Sequence, residues 1–187
     1  MSAARIIIGI TGASGMIYGV RLLELLRPTA IETHLIVSKS AQLTRKYETN
    51  LSLTELKALA DVYHSWNDVG ASIASGSFQT LGMIVAPCSM KTLAEIAHGT
   101  SDNLIGRAAD VTLKERRKLV LMPRESPLHL GHLQNMVSLT QQGAIICPAM
   151  PAFYTKPETI DDIINYSVGR ILDLFDLDVG IVARWQG

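Results

Sequence analysis

Three short polar segments, each directly following an apolar run, carry residue types that bind and transform small anionic molecules. They are Thr-Gly-Ala-Ser-Gly at residues 11–15, Pro-Cys-Ser-Met-Lys-Thr at residues 87–92 and Pro-Arg-Glu at residues 123–125. Glycine lets a backbone approach a ligand closely, arginine binds phosphate through two hydrogen bonds, and glutamate moves protons. The three segments together predict a site for a phosphorylated ligand with a proton-transferring group beside it.

The glycine-rich turn connects an apolar, β-branched run at residues 5–10 to a helical pattern at residues 18–26. A buried strand, a tight turn and a helix N-terminus in this order bring free backbone N–H groups and the positive end of the helix dipole together. An anionic group is favoured there, so the turn is predicted to form a phosphate or cofactor cradle.

The glycine spacing argues against a standard dinucleotide site. Gly9, Gly12 and Gly15 follow G-x-x-G-x-x-G, whereas the dinucleotide fingerprint is G-x-G-x-x-G with an acid after the second strand. The second strand here ends in Ser38 and Lys39, a hydroxyl and a cation that suit phosphate or ribityl oxygens. NAD is therefore disfavoured, while NADP and FMN both stay open.

The segment at residues 87–92 is interpreted as a strand end that opens a helix. Ser89 is a good N-cap residue, and capping alone would explain it. Lys91 in the first helical turn opposes the helix dipole, which makes sense if an anion lies nearby. Cys88 has no paired base in the sequence and is interpreted as a buried small residue.

Two further motifs favour structural roles. The pair His129 and His132 has no third ligand at a recognisable spacing, so a metal site is disfavoured. Asp161 and Asp162 nearly match an aspartate-rich magnesium motif, but they begin two residues after Thr159, where acids of a first helical turn are expected. We interpret these aspartates as the start of a helix.

Composition bounds the class of protein. The chain has 187 residues, which predicts one domain, and its formal net charge of +0 gives no indication of nucleic-acid binding. Its 18% charged and 48% apolar residues leave more apolar surface than a chain of this size can bury, which predicts an oligomer. The two cysteines, with no membrane span or signal-peptide pattern, favour a soluble cytoplasmic protein.

Predicted strands and helices alternate along the chain. Strands are expected at residues 5–10, 31–37, 61–66, 81–87, 117–123 and 143–147, and helices at 18–26, 38–47, 51–60, 90–97, 130–141 and 159–175. Continuously apolar strands separated by helices predict a single-domain α/β fold, a three-layer α/β/α sandwich around a Rossmann- or flavodoxin-like parallel sheet. Ligands of such sheets bind beyond the carboxyl ends of the strands, where the three polar segments lie.

Nine blocks in this order resemble the flavin prenyltransferases, the UbiX/Pad-like family formerly described as aromatic acid decarboxylases. The blocks are residues 11–15, 48–49, 74–77, 87–89, 107–111, 113–117, 123–125, 151–154 and 183–185. The resemblance implies one flavoprotein domain over residues 1–187, a dodecamer, and a segment at about 176–187 that packs on a neighbouring subunit. It also implies transfer without a metal.

The activity implied by the resemblance joins dimethylallyl monophosphate to reduced FMN, first at N5 and then by ring closure at C6. The product, prenylated FMN, would serve a partner decarboxylase of the UbiD type. FMN binding is then expected from Gly12, Ala13, Ser14, Ser38, Ser89, Met90, Lys91, Thr92 and Arg124. Substrate binding is expected from Tyr154, Arg170, Arg107, Lys114 and Trp185, and catalysis from Ser14, Glu48, Glu125 and Lys114.

Two other functions stay open at this stage. The chain could decarboxylate aromatic acids directly with FMN, because related flavoproteins decarboxylate peptidyl cysteine on a similar fold. It could also be a non-catalytic FMN-binding subunit of a decarboxylase complex. Quinone biosynthesis and phenolic-acid detoxification would use the same product, so the sequence does not choose between these pathways.

Overall fold

A computed structural model of the chain describes residues 4–182. Its strands are β1 (Arg5–Ile10), β2 (Glu32–Val37), β3 (Val62–His64), β4 (Gly82–Cys88), β5 (Lys118–Pro123) and β6 (Ile145–Ile146). Its α-helices are α1 (Met16–Leu26), α2 (Lys39–Glu48), α3 (Leu53–Lys57), α4 (Met90–His98), α5 (Leu104–Lys114), α6 (Leu130–Gln142) and α7 (Ile160–Asp173). No helix in this part of the chain is long and apolar enough to cross a membrane.

The strands form one sheet in the order β3-β2-β1-β4-β5-β6, and each pairs in parallel with its neighbours. The chain order reverses between β1 and β4, which is where sheets of this kind open a crevice beyond their carboxyl ends. The turn after β1 and the segment after β4 therefore lie side by side. The predicted parallel α/β fold is confirmed.

Helices cover both faces of the sheet. On one face, Ile6, Ile8 and Ile10 pack in a cluster that includes buried residues of α1 and α7. On the other face, Met83 and Val85 pack in a cluster that includes buried residues of α4 and α5. Since alternate strand residues point to opposite faces, two buried faces require the continuously apolar strands seen in the sequence.

The largest difference from the sequence-based prediction is α5, which was not predicted as an element. The side chain of Asn103 caps this helix by accepting a hydrogen bond from the backbone N–H of Gly106 at 3.1 Å. An N-cap asparagine before periodic apolar residues was a readable signal. Four elements are also clearly shorter than predicted, namely α3, α7, β3 and β6.

Candidate active site

The glycine-rich turn and the end of α2 form one hydrogen-bonded cluster. The backbone N–H groups of Gly15 and Met16 both donate to Glu48 Oε2, at 2.9 Å each. Arg124 reaches the same turn, where its Nε donates to the carbonyl oxygen of Ser14 at 3.4 Å. We name Ser14, Glu48 and Arg124 the turn cluster. The anion expected at the N-terminus of α1 is thus the chain's own carboxylate.

Glu48 is held in its ionised form by this arrangement. Partial burial acts to raise its pKa, but hydrogen bonds from the Ser14 side chain and from the Met16 and Gly15 backbones outweigh burial, with help from the positive charge of Arg124. The pKa of Glu48 therefore lies below its ordinary value. A carboxylate that accepts several N–H and O–H bonds is a poor proton acceptor and a good electrostatic anchor.

A second feature is a cavity of about 220 Å³ between the N-termini of α2 and α4. The Ser38 hydroxyl caps α2 by accepting from Ala41 N–H at 3.1 Å, and the Ser89 hydroxyl caps α4 by accepting from Thr92 N–H at 3.2 Å. We name this space the α2–α4 cavity. Its lining includes Ser38, Lys39, Ser40, Ser89, Lys91 and Thr92.

The charges around the α2–α4 cavity suit a phosphate group. Two helix N-termini direct their positive dipole ends toward one space, and its lining carries two cations, Lys39 and Lys91, against one anion, Glu95. Lys39 Nζ lies 4.9 Å from the centre of the Trp66 ring, while Lys91 Nζ lies 3.3 Å from a carboxylate oxygen of Glu95. Hydroxyl, ammonium and helix-end donors together fit the phosphate and ribityl oxygens of FMN.

The glycine-rich turn adjoins the α2–α4 cavity. Gly12 packs so closely on Ser40 that a Cβ atom there would lie 2.4 Å from the Ser40 hydroxyl. Only glycine permits this approach between the turn after β1 and the start of α2. Ala13 is buried and Met90 opens α4, so the FMN-binding residues expected from the sequence come together at the carboxyl edge of the sheet.

Arg124 and Glu125 follow β5 at the same edge. The backbone N–H of Arg124 donates to the carbonyl oxygen of Cys88 at 3.3 Å, which places the segment beside the end of β4. The Glu125 carboxylate is exposed and accepts a hydrogen bond from Ser126 N–H at 3.0 Å. Glu125 is thus accessible to a ligand, unlike Glu48, whose carboxylate is engaged at α1.

Tyr154, in the short turn Phe153–Thr155, and Arg170, on α7, belong to a further cluster, which we name the α7 cluster. The hydroxyl groups of Tyr154 and Tyr166 are hydrogen-bonded, and the two rings pack edge to face with centroids 6.0 Å apart. Arg170 Nη1 lies 2.7 Å from a carboxylate oxygen of Asp173. Burial raises the pKa of the Cys147 thiol, and the positive charge of Arg170 acts against that rise. A cation, two phenols and a thiol therefore share this region.

Lys114 does not join these groups within one chain. It ends α5 and pairs with Glu115, and both side chains lie against Gly76. Arg117 hydrogen-bonds the carbonyl oxygens of Gly76 and Phe78, in the loop that precedes β4. This loop lies at the amino edge of the parallel sheet, so Lys114 is on the side opposite the turn cluster.

Arg107 and Trp185 complete the expected substrate residues. Arg107 lies in the first half of α5, and its side chain pairs with Asp110 at 2.9 Å. Within residues 4–182, Arg107 forms no hydrogen bond or ion pair with Tyr154 or Arg170. Trp185 and the block at residues 183–185 lie outside the described residues.

The remaining motifs have structural roles. Cys88 is fully buried, which raises the pKa of its thiol and leaves it an inert core residue. Thr159 and Asp162 form a reciprocal capping box, so the aspartate pair does begin a helix. His129 caps α6 and stacks on His132 with ring centroids 3.5 Å apart. Between residues 4 and 182, no three His, Cys, Asp or Glu side chains are grouped so as to hold a metal ion.

Sequence comparison identifies the family. The Flavoprotein family profile matches residues 1–172. A relative from Thauera aromatica, named Flavin prenyltransferase UbiX, is 58% identical over 183 residues, which cover 98% of this chain and 94% of the relative. The chain belongs to the flavin prenyltransferase family. The resemblance drawn from the nine sequence blocks is therefore confirmed.

Solved structures of UbiX and UbiX-like proteins have the same fold. AnUbiX (PadA1), crystallised with FMN and dimethylallyl pyrophosphate, matches with a TM-score of 0.98 at 53% identity and covers 100% of this chain and 99% of its own. A dodecameric FMN-dependent UbiX-like decarboxylase from Escherichia coli O157:H7 matches with a TM-score of 0.96 at 54% identity, over 98% of this chain and 100% of that one.

Proposed function

We propose that this chain is a flavin prenyltransferase that transfers the dimethylallyl group of dimethylallyl monophosphate to reduced FMN and so forms prenylated FMN. The observation that carries the proposal is the α2–α4 cavity, with its two helix N-termini and two lysines, directly beside the glycine-rich turn. Its support is a relative at 58% identity named for this activity. AnUbiX (PadA1) was crystallised with FMN and dimethylallyl pyrophosphate, an allylic ester of pyrophosphate and not of monophosphate.

FMN would be held mainly by the carboxyl edge of the sheet. Ser38, Ser89, Lys91 and Thr92 line a space suited to its phosphate, and Arg124 lies over the turn at Ser14. When bound in its reduced form, FMN supplies the nucleophilic nitrogen and carbon that take up the five-carbon group. The glycine-rich turn fixes its position through the backbone, because Gly12 and Ala13 offer no large side chain.

The allylic phosphate would bind at the α7 cluster. Breaking the allylic C–O bond leaves the electron pair on the phosphate, so positive charge near the leaving oxygen lowers the barrier. Arg170 supplies that charge and Tyr154 a hydroxyl donor. A monophosphate carries less charge than a diphosphate, so lysine and arginine side chains can neutralise the leaving group here, as magnesium does for a diphosphate.

The two glutamates would have different tasks. Glu48 stays ionised at α1 and fixes the position of Ser14, and its negative charge favours a developing cation nearby. Ring closure releases a proton, and the exposed carboxylate of Glu125 is placed to accept it at the carboxyl edge of the sheet. Glu125 is therefore the proposed general base, with the released phosphate as its alternative.

Lys114 and Arg107 would act in the site of a neighbouring subunit. Lys114 lies at the amino edge of its own sheet, so it reaches a substrate at a carboxyl edge only from a second copy. We therefore propose a homo-oligomer of the dodecameric kind reported for the Escherichia coli O157:H7 protein. The segment at about 176–187, including Trp185, would pack on that neighbour.

The biological setting completes the proposal. The chain would act in the cytoplasm as one flavoprotein domain over residues 1–187. Its product would pass to a UbiD-type decarboxylase, since a modified flavin is useful only as the cofactor of a second enzyme. Neither nucleic acid nor a membrane enters this scheme.

The deciding experiment combines the purified protein, reduced FMN and dimethylallyl monophosphate under anaerobic conditions, with mass spectrometry of the extracted flavin. We expect a protein-dependent gain of one five-carbon unit, and less product from dimethylallyl pyrophosphate. Unmodified FMN that nevertheless binds would overturn prenyl transfer. If the protein then decarboxylated an aromatic acid, it would be a direct decarboxylase. If it did not, it would be a non-catalytic FMN-binding subunit.

A further inference from the structure

Thr11 is a fully buried polar residue at the point where β1 ends. Its hydroxyl donates to the carbonyl oxygen of Pro87 at 2.8 Å and accepts from the backbone N–H of Ser89 at 2.8 Å. Its own backbone N–H also donates to Pro87 O, at 3.2 Å. One threonine thus makes three hydrogen bonds across the crevice between β1 and β4.

These bonds connect β1 to the segment after β4, beyond the point where the pairing of the two strands ends. The β1–β4 register ends at Gly9 and Val85, and the β4–β5 pairing is irregular between Val85 and Cys88. Pro87 has no N–H to donate, so regular pairing cannot continue at this point. On the β5 side Cys88 still pairs with Pro123, whereas on the β1 side the Thr11 hydroxyl bonds the backbone of Pro87 and Ser89.

The residue held in this way, Ser89, begins a helix that lines the α2–α4 cavity. Ser89 caps α4, and its hydroxyl accepts from Thr92 N–H and donates to the Thr92 hydroxyl at 3.1 Å. Ser89, Lys91 and Thr92 all line the α2–α4 cavity. A shift of Ser89 therefore moves one complete wall of that cavity.

We propose that Thr11 is a positioning residue for the phosphate of FMN: its hydroxyl fixes Ser89 and thereby the N-terminus of α4. The proposal rests on the proposed function in that it takes FMN as the ligand. The proposal distinguishes FMN from riboflavin, because Thr11 acts through Ser89 on the phosphate end of the ligand only. Binding of riboflavin, which has the same ring but no phosphate, should depend on it much less.

The chain offers a matched control at Thr33. Thr33 is also a buried strand threonine whose hydroxyl both donates and accepts, to Asp61 Oδ2 at 2.8 Å and from Asp61 N–H at 3.0 Å. It lies near the start of β2, at the opposite edge of the sheet from the α2–α4 cavity. Replacing either threonine by valine removes a buried hydroxyl that donates one hydrogen bond and accepts another, at nearly constant volume, far from the cavity in one case and beside it in the other.

The experiment titrates oxidised FMN and riboflavin into wild type, Thr11→Val, Thr11→Ser and Thr33→Val, using quenching of flavin fluorescence. For Thr11→Val we expect the Kd for FMN to rise about tenfold, the effect of one lost buried hydrogen bond. The Kd for riboflavin should change little, Thr11→Ser should restore FMN binding, and Thr33→Val should bind both flavins as wild type does.

An unchanged FMN affinity in Thr11→Val, or an equal loss in Thr33→Val or for riboflavin, would overturn the role of Thr11. Wild-type protein that binds no FMN would instead contradict the proposed function. If Thr11→Val does not fold, hydrogen exchange of wild type decides. The Ser89 amide should then be strongly protected without any flavin, and fast exchange would contradict the proposal.

Discussion

The carboxylate of Glu48 accepts a hydrogen bond from the backbone N–H of Met16 at 2.9 Å, at the first turn of α1. A glycine-rich turn before a helix usually directs attention to this helix end as the phosphate site. Here a carboxylate from the end of α2 already neutralises it. Two other helix ends at the carboxyl edge, those of α2 and α4, line the cavity instead.

The charge of Glu48 should make stability depend on pH. Because the folded-state pKa lies below the ordinary value, the ionised carboxylate stabilises the fold above that value, roughly pH 4.3, and this stabilisation is lost as the pH falls through the folded pKa. We expect wild type to exceed Glu48→Gln in free energy of unfolding by about 0.5–1 kcal/mol at pH 7. Urea unfolding from pH 7 to pH 3 should show the difference shrinking.

The control for this series is Glu158→Gln, at an exposed position in the loop before α7. It should follow the wild-type curve at every pH. A difference between wild type and Glu48→Gln that stays constant down to pH 3 would show that the charge of Glu48 does not stabilise the helix.

Much of this arrangement could be predicted from the chain, because it depends on local patterns. Apolar runs of strand length followed by Gly12, Ser89 and Arg124 placed the ligand-binding residues at one edge of a parallel sheet. The contact of Glu48 with Gly15 spans 33 residues and leaves no local signal. Thr11 was visible as part of a motif, but its partners on β4 depend on where the strand pairing ends.

The family resemblance does not specify how the site residues are distributed among subunits. It grouped Lys114 with Tyr154 as substrate residues, yet one chain places Lys114 at the amino edge of the sheet. A motif records which residues serve a site and not which subunit supplies them. Surface that is exposed in one chain, such as the apolar side chains of Leu130 and Val137 on α6, is consistent with the oligomer expected from the composition.

Helix α1 packs so closely on β1 and β4 at Gly19 that there is no room for a methyl group. A Cβ atom there would lie 2.5 Å from the carbonyl oxygen of Ala86 and 2.7 Å from Ile10 Cδ1. Alanine favours a helix by about 1 kcal/mol, but a backbone carbonyl cannot move aside, so we expect Gly19→Ala to lose about 1–3 kcal/mol of unfolding free energy. FMN affinity should fall as well, since α1 carries the glycine-rich turn.

Gly70→Ala is the matched control, because its added Cβ would meet only Asp68 Oδ1 at 3.7 Å. Thermal unfolding of both variants, followed by circular dichroism, tests the difference. Equal stability of Gly19→Ala and wild type would mean that α1 can move away from β4 without cost.

Glu125 should matter for rate and not for binding. With glutamine in its place the proton has no carboxylate to accept it, so we expect Glu125→Gln to slow formation of prenylated FMN about 100-fold or more. The Kd for FMN should stay within about twofold of wild type, because the phosphate contacts are unchanged. Single-turnover kinetics with mass detection measure both, and Glu125→Asp should recover part of the rate. Wild-type kinetics in Glu125→Gln would assign proton removal to the released phosphate.

Sharing of the site between subunits can be tested by complementation. Lys114→Ala and Tyr154→Phe oligomers should each be nearly inactive. If Lys114 serves a neighbour's site, a co-expressed mixture purified through a tag on each chain contains sites with both residues intact. Random 1:1 assembly should restore roughly a quarter of the wild-type rate, since each of the two contributing chains is intact in half of the positions.

The matched control for complementation is a mixture of Tyr154→Phe with Arg170→Ala. The structure places Tyr154 and Arg170 in one cluster of one chain, joined through Tyr166. Each chain then damages its own cluster, so no assembly restores a complete site and the mixture should stay inactive. Recovery in the Lys114–Tyr154 mixture alone would establish that a site draws on two subunits. Recovery in neither mixture would contradict a shared site, because it would leave Lys114 acting on the fold of its own chain.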